Sequence, residues 1–459
     1  MSRVQPARRV AADVLAAVRE SDAYANLLLP TRIRDARLTS ADAGFATELV
    51  YGTLRMQGYY DRVIAVAARR ATEKIDAAVL EVLRLGAHQL VSLRTAPHAV
   101  IDESVELVRR ARKASAAGFV NGVLRTISRE SPEAWRTRAL AGLTGTERAA
   151  VEFSHPVWVV DALEQALARE QAAHELPDLL AADNTAPCVA FAALPGLADA
   201  DQLAQSGRFL PGTVSPIALG STGGDPAAHA EVAAGRVRVQ DEGSQLAALA
   251  LTRARPVAAG ERWLDLCAGP GGKAALLAAD AAHSGARLVA NEVVPARAGL
   301  VRAALAPFAQ QPHAPEVVVG DGRRFGVSGE RFDRILLDAP CTGLGALRRR
   351  PEARWRKSPD DLAALTEIQG ELLDAAIAAL TPGGVLAYVT CSPHPEETHL
   401  RVDAALARHS QLRTLDTPAV LDAVARTSLG LPRGTAAQLW PHRHGTDAMF
   451  IQLLTTLEA

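Results

Sequence analysis

Three cysteines, each in a short motif after a strand-like run, are the residues of this chain best placed for covalent chemistry. They are Cys267 in LDLCAGPGGK, Cys341 in LLDAPCTGLGALRRRPEARW and Cys391 in AYVTCSPHPEE. A cysteine thiolate is a strong nucleophile. Cys341 and Cys391 follow strand ends in the same α/β half, and open sheets of that kind place their ligand crevice at the carboxyl ends of strands. Two thiols converging on one crevice beside a glycine-rich loop imply one sulfur attacking and the other assisting. Cys188 lies outside every motif and is expected in the core.

The loop Cys267, Ala268, Gly269, Pro270, Gly271, Gly272 and Lys273 joins a strand to a helix. Glycines let the backbone approach a ligand, and a helix N-terminus favours negative charge. The spacing is neither the dinucleotide fingerprint nor a Walker A loop, because Ala274 follows Lys273. Glu292 ends the next strand roughly 20 residues on, where an acid can accept from ribose hydroxyls. Asp321, in GDGRRF, suits the exocyclic amine of an adenine. An adenosine site without a triphosphate cradle points to S-adenosylmethionine. Asp338 stands with a proline and Cys341 at a sheet edge, and Arg348, Arg349, Arg350 and Arg354 after them suit a polyanion. His394 and Glu396 read as turn residues, and no ligand spacing such as CxxC marks a metal site.

These motifs need a scaffold. A chain of 459 residues exceeds one hydrophobic core, so two to three domains are expected. Hydrophobic content of 48% with 22% charged residues is ordinary for a soluble protein. No run of about 18 apolar residues appears, which argues against a membrane span. The basic start MSRVQPARRVAADVLAAVRE lacks the apolar core of an export signal. Four cysteines without a paired framework fit a reducing cytosol, so the expected location is cytoplasmic. The net charge of −1 gives no global pull toward polyanions, so basicity must act locally.

Residues 4 to about 130 show helical spacing, as in Val10, Val14, Leu15 and Val18 or Val79, Val82, Leu83 and Leu90, and no convincing strand. Short breaks between periodic segments favour a helical bundle. Ser40-Ala41-Asp42 and Thr72 are candidate N-caps. From Pro187 to about Gly235, glycines and prolines interrupt short apolar runs, predicting short strands or irregular structure. From Arg236 onward strands alternate with helices, which predicts a parallel, doubly wound sheet closed by a final hairpin. The expected architecture is therefore an all-α bundle (1–135), a small intermediate module (136–235) and a Rossmann-like α/β domain (236–459).

Taken together, LDLCAGPGGK, the acid after the second strand, GDGR, DAPCTGLGALRRRPEARW and YVTCSPHPEE resemble the two-cysteine RNA cytosine-5 methyltransferases. With FATELVYGTLR and FVNGVLR in a front end similar to the antitermination factor NusB, the chain looks like the Sun/Fmu branch, ribosomal RNA small-subunit methyltransferase B. That resemblance covers about 1–130 and 236–456. It implies that Cys267 to Lys273, Glu292, Asp321 and Asp338 line an S-adenosylmethionine pocket. It also implies that Cys391 is the nucleophile, that Cys341 assists product release, and that 16S ribosomal RNA is the partner; a monomer is the default expectation. This chain has Gly269 and Glu292 where the family usually has Ala and Asp. It has Asp447-Ala448-Met449-Phe450 in place of Asp-Gly-Phe-Phe, and CVAFAALPG in place of a strand carrying Arg-Val-Asn.

The implied chemistry is addition of a thiolate to carbon-6 of cytosine, which makes carbon-5 nucleophilic. Lys273 and nearby arginines are candidates for lowering the thiol pKa, and Asp338 for hydrogen-bonding the N3 edge of the ring. The base must be single-stranded or flipped out. Reversed roles remain open, because DNA cytosine methyltransferases attack through a Pro-Cys thiol. So do a transfer RNA or large-subunit RNA substrate and, in a different class, an inactive RNA-binding assembly factor.

Overall fold

The computed structural model describes residues 4–21 and 23–457. Two compact units emerge: residues 1–164, 176–185 and 347–356 form one, and residues 165–175, 186–346 and 357–459 form the other. The segment expected as an intermediate module is thus divided between them.

The first unit is helical, with Pro6–Glu20, Ala25–Asp35, Ser40–Arg55, Gln57–Ala68, Ala77–Val91, Pro97–Arg110 and Ala117–Ile127 as its main helices. Ala77–Val91 is buried on nearly every side, which makes it the central helix of the bundle. Val14, Leu15, Leu49, Val50, Leu83 and Leu124 pack in one core. The caps fall close to the sequence expectation. Thr39, one residue earlier than expected, accepts from the Asp42 amide. Thr72 starts only a short turn, and Asp76 caps the central helix by accepting from Ala78 and Val79.

The ten residues Leu347–Arg356 belong to this helical unit, although they follow the Cys341 motif directly in sequence. Arg354 is fully buried, and its guanidinium donates to the carbonyls of Arg55, Ser154 and Asp183 and to Asn184 Oδ1, at 2.9–3.3 Å. Burial lowers its pKa to about 10. Arg348 is buried as well. Both therefore depart from the expected phosphate contacts: the hydrogen bonds of Arg354 are spent on the protein's own oxygens, and Arg348 is withdrawn from solvent. Arg350 remains exposed and Arg349 partly so. Arg354→Ala is expected to cost about 3–5 kcal/mol, since several buried acceptors lose their donor at 1–3 kcal/mol each. Thermal melting should show that loss, while the salt dependence of RNA binding by the folded variant stays unchanged. A salt slope reduced by about one would instead mark Arg354 as a phosphate contact.

The second unit holds two sheets. Strands β1 (Ala190–Ala193), β2 (Leu210–Pro211), β3 (Ala218–Gly220) and β4 (Val237–Val239) form a small antiparallel sheet in the order β2-β3-β1-β4. β4 was expected to open the α/β domain; it completes this smaller sheet instead. The main sheet contains β5 (Arg262–Asp265), β6 (Arg287–Glu292), β7 (Glu316–Val319), β8 (Phe332–Asp338), β9 (Leu380–Thr390), β10 (Leu412–Thr414), β11 (Ala436–Gln438) and β12 (Phe450–Thr456). Its order is β10-β12-β9-β8-β5-β6-β7, with β11 paired to β12 as the expected closing hairpin. β5 to β9 run parallel, and β12 joins β9 antiparallel.

Both faces of this sheet are covered, as a parallel sheet requires. Side chains alternate along the strands, apart from an irregularity between Phe332 and Arg334 in β8. Trp263, Leu336, Ala387 and Val389 pack in a core with the helices Glu242–Arg253 and Gly272–Ser284. Leu264, Ile335, Leu337 and Tyr388 pack in another with Pro359–Ala379. The chain winds from β5 through β6 to β7, then crosses to β8 and β9 on the other side of β5. That reversal is the switch point where open α/β sheets bind ligands.

Candidate active site

Because β5 to β9 are parallel, their carboxyl ends share one edge, and every expected catalytic or cofactor residue of the α/β half falls on it. Asp265 and the glycine loop follow β5, and Glu292 ends β6. Asp321 lies just past β7, Asp338 ends β8 with Cys341 beyond it, and Cys391 follows β9.

The two thiols come together: Cys341 Sγ and Cys391 Sγ are 3.4 Å apart, and both are free cysteines. A contact through Gly345 helps bring their turns together. The Gly345 amide donates to the Cys391 carbonyl at 2.9 Å, and its own carbonyl accepts from Ala448 at 2.9 Å. A Cβ at 345 would stand 2.0 Å from the Ala448 oxygen, so only glycine fits. The pair is electrostatically unequal. The contact with Cys341 lowers the Cys391 pKa; burial, Asp338 and Asp447 oppose this, and Lys273 reinforces it. Cys341 is pushed up by that same contact, by burial and by neighbouring negative charge. Cys391 is thus the easier thiolate. Cys267 is raised by burial and by Asp265, Asp338 and Glu292, which leaves it a poor nucleophile.

Lys273 Nζ donates to Asp338 Oδ2 at 2.7 Å. Burial works against the lysine's charge, but the Asp338 carboxylate outweighs it and the pKa rises. Lys273 therefore stays a cation near the thiols.

The glycine loop packs closely through its backbone. Gly271, at φ +102°, precedes the helix Gly272–Ser284, and a Cβ there would stand 2.5 Å from the Ala304 side chain. Asp265, absent from the sequence-derived site, is almost fully buried, and neither carboxylate oxygen has a well-formed hydrogen-bond partner. Burial, then Asp338, raises its pKa to about 8. A buried acid without donors is costly unless a ligand brings them. Its signal in the sequence was its position as the last residue of β5, immediately before the loop.

Glu292 is buried, and the loop claims part of its carboxylate. Oε2 accepts from the Gly269 amide at 3.0 Å and Oε1 from the Val294 amide at 2.9 Å. Arg297 lies 3.5 Å from Oε2 and donates to the Gly269 carbonyl at 2.6 Å. Lone pairs remain for ribose hydroxyls. Asp321 is half-exposed and caps a turn through the Arg323 amide, with the Arg323 guanidinium holding its carboxyl below the usual range. Cys188, expected in the core, is exposed.

S-adenosylmethionine fits these residues. The loop offers backbone N–H groups at a helix start, the buried Asp265 carboxylate is under-satisfied, and Glu292 and Asp321 present acids at successive strand ends. Among the described residues no helix is long and apolar enough to cross a membrane.

Comparison with known proteins agrees with this architecture. The family model of the 16S rRNA methyltransferase RsmB/F matches residues 254–455, and that of the NusB family matches residues 5–129. A Mycobacterium tuberculosis protein designated only generally as a methyltransferase is 46% identical over 99% of this chain and 97% of its own. The ribosomal RNA small subunit methyltransferase B of Pseudomonas putida is 33% identical over 98% and 99%, respectively. The crystal structure of PH0851 shares the fold over 99% of both chains, with a TM-score of 0.79 at 21% identity. S-adenosylmethionine is the cofactor of this methyltransferase.

Proposed function

Given that the chain belongs to the 16S rRNA methyltransferase RsmB/F family, we propose that it methylates carbon-5 of a cytosine in 16S ribosomal RNA through a transient bond from Cys391. The observation that carries this reading is the thiol pair, 3.4 Å apart, beside the Lys273–Asp338 ion pair. An enzyme that methylated an exposed amine or hydroxyl would have no use for two adjacent sulfurs.

The Cys391 thiolate adds to carbon-6 of the flipped-out base, and the electron pair displaced from the 5,6 double bond makes carbon-5 nucleophilic. A proton shared between Asp338 and the N3 edge of the base stabilises the adduct. S-adenosylmethionine, when bound by Cys267 to Lys273, Glu292, Asp321 and Asp338, supplies an electrophilic methyl group. Loss of the carbon-5 proton then restores the double bond and expels Cys391, with Cys341 assisting as proton donor or acceptor. Arg349 and Arg350 are the arginines of the expected set left to meet phosphate.

Bisulfite sequencing of total RNA, with and without the gene, tests the target. One cytosine of 16S ribosomal RNA is expected to lose its protection from deamination when the gene is deleted. A change confined to transfer RNA or large-subunit RNA would move the substrate, and no change in any RNA would sink the cytosine-5 assignment.

A further inference from the structure

Beside the two thiols lies a buried polar cluster whose members, though several sit within the cysteine motifs, were given no role from the sequence. Glu397 is fully buried. Its carboxylate accepts from the Thr342 amide at 2.8 Å, from Gln369 Nε2 at 3.0 Å and from the Thr342 hydroxyl. Gln369 Nε2 also donates to the Pro340 carbonyl at 2.9 Å, and the Tyr388 hydroxyl donates to the Glu397 carbonyl at 2.8 Å. Both neighbours of Cys341 are therefore pinned, Pro340 by Gln369 and Thr342 by Glu397.

The cluster reaches the other thiol as well. Thr342 Oγ1 lies 3.1 Å from Ser392 Oγ. Thr342 gives its single hydroxyl proton to Glu397, so Ser392 is the donor in that contact. Ser392 Oγ in turn accepts from the His394 amide at 3.3 Å. Thr342 directly follows Cys341 and Ser392 directly follows Cys391, so one directional chain of hydrogen bonds, ending on one carboxylate, ties the two cysteine turns together.

We infer that Glu397 is a positioning residue that sets the spacing of the two thiols and keeps Cys341 the protonated member of the pair. The inference rests on the proposed covalent reading for its purpose, but not for its geometry. The groups that face Cys341 are Cys391, Glu397, Asp338 and Tyr388, whereas Cys391 faces Cys341, Asp338, Lys273 and Asp447. Glu397 bonds directly to Thr342, next to Cys341, and reaches the Cys391 turn only through the Thr342–Ser392 contact. It therefore stands closer in the network to one thiol and distinguishes two side chains of the same chemistry.

The test is alkylation of the full-length protein by iodoacetamide across pH 6–10, with each cysteine quantified by mass spectrometry, in the absence of RNA and cofactor. In Glu397→Gln the Cys341 labelling profile is expected to move about one unit toward acid. The preference for Cys391 over Cys341 then falls about tenfold at a given pH. Thr342→Val, which removes the hydroxyl bridge, is expected to erode the same preference, and Thr342→Ser to retain it. With RNA and cofactor supplied, kcat falls in Glu397→Gln while KM for RNA holds. Labelling profiles identical to wild type in a folded Glu397→Gln protein would overturn the inference. If that protein does not fold, an unchanged labelling ratio in Thr342→Val overturns it instead. A failed cytosine assignment would appear in bisulfite sequencing and leave these labelling profiles untouched.

Discussion

Alanine at Cys391 is expected to end methyl transfer, with a loss on the order of 10⁴-fold or more, because no other group can form the bond that activates the ring. Alanine at Cys341 is expected to do something different: the base becomes methylated but its release fails, and the protein stays covalently attached to RNA. The structure supplies the asymmetry behind this pair of outcomes. The contact between the thiols lowers the pKa of Cys391, which also has Lys273 as a neighbouring cation, and raises that of Cys341. A denaturing gel with labelled RNA reads both results at once, as a band of retarded protein in Cys341→Ala and none in Cys391→Ala. The opposite pattern would assign the attack to the Pro-Cys thiol.

The second large effect concerns the cofactor loop. A Cβ on Gly269 would stand 2.1 Å from Glu292 Oε2 and 2.9 Å from its Cδ. That carboxylate cannot swing aside, because it is buried and held by the Gly269 and Val294 amides. Gly269→Ala should therefore displace either the loop or the ribose acceptor, and weaken S-adenosylhomocysteine binding by about 10- to 100-fold, or 1.4–2.7 kcal/mol. Shortening the acid by one methylene removes the collision. Gly269→Ala combined with Glu292→Asp is expected to recover binding to within about threefold of wild type, a coupling that a double-mutant cycle measures directly. The two departures from the family pattern, glycine for alanine and glutamate for aspartate, are thus one compensated change. Calorimetry showing Gly269→Ala unimpaired, or the double variant no better than the single one, would refute that coupling.

Much of this site was legible in the sequence because strand-to-helix turns carry their chemistry at fixed offsets from a strand end. Cys267 to Lys273, Glu292, Asp338, Cys341 and Cys391 could be placed on one edge once the strands were read as parallel, and the structure puts them there. Asp265 was not carried into the site although it stands two residues before Cys267, because an acid ending a strand has no distinctive spacing; its significance lies in its burial, which helps lift its pKa to about 8. Glu397 was invisible for another reason. PEE reads as a solvated turn, and only the return of Thr342 and Gln369 from distant segments buries the second glutamate. Arg348 and Arg354 show the converse error. A run of arginines looks basic and exposed, yet tertiary packing decides which guanidiniums meet water. In the front end, helical periodicity identified the bundle, while the caps shifted by a residue or more because Thr39 and Asp76 compete well for the free amides. The four-stranded sheet was only dimly visible, since β2 and β3 are two and three residues long.

The ten residues Leu347–Arg356 give the gene a constraint that its modular appearance hides. The helical front end looks like a cassette that recombination could attach to any partner, but part of its interior is encoded about 160 codons downstream, between segments of the α/β unit. A cassette lifted out at residue 185 would leave the oxygens that Arg354 satisfies without their donor. Exchange of either half between relatives should therefore succeed only when the short downstream insert travels with the helical half.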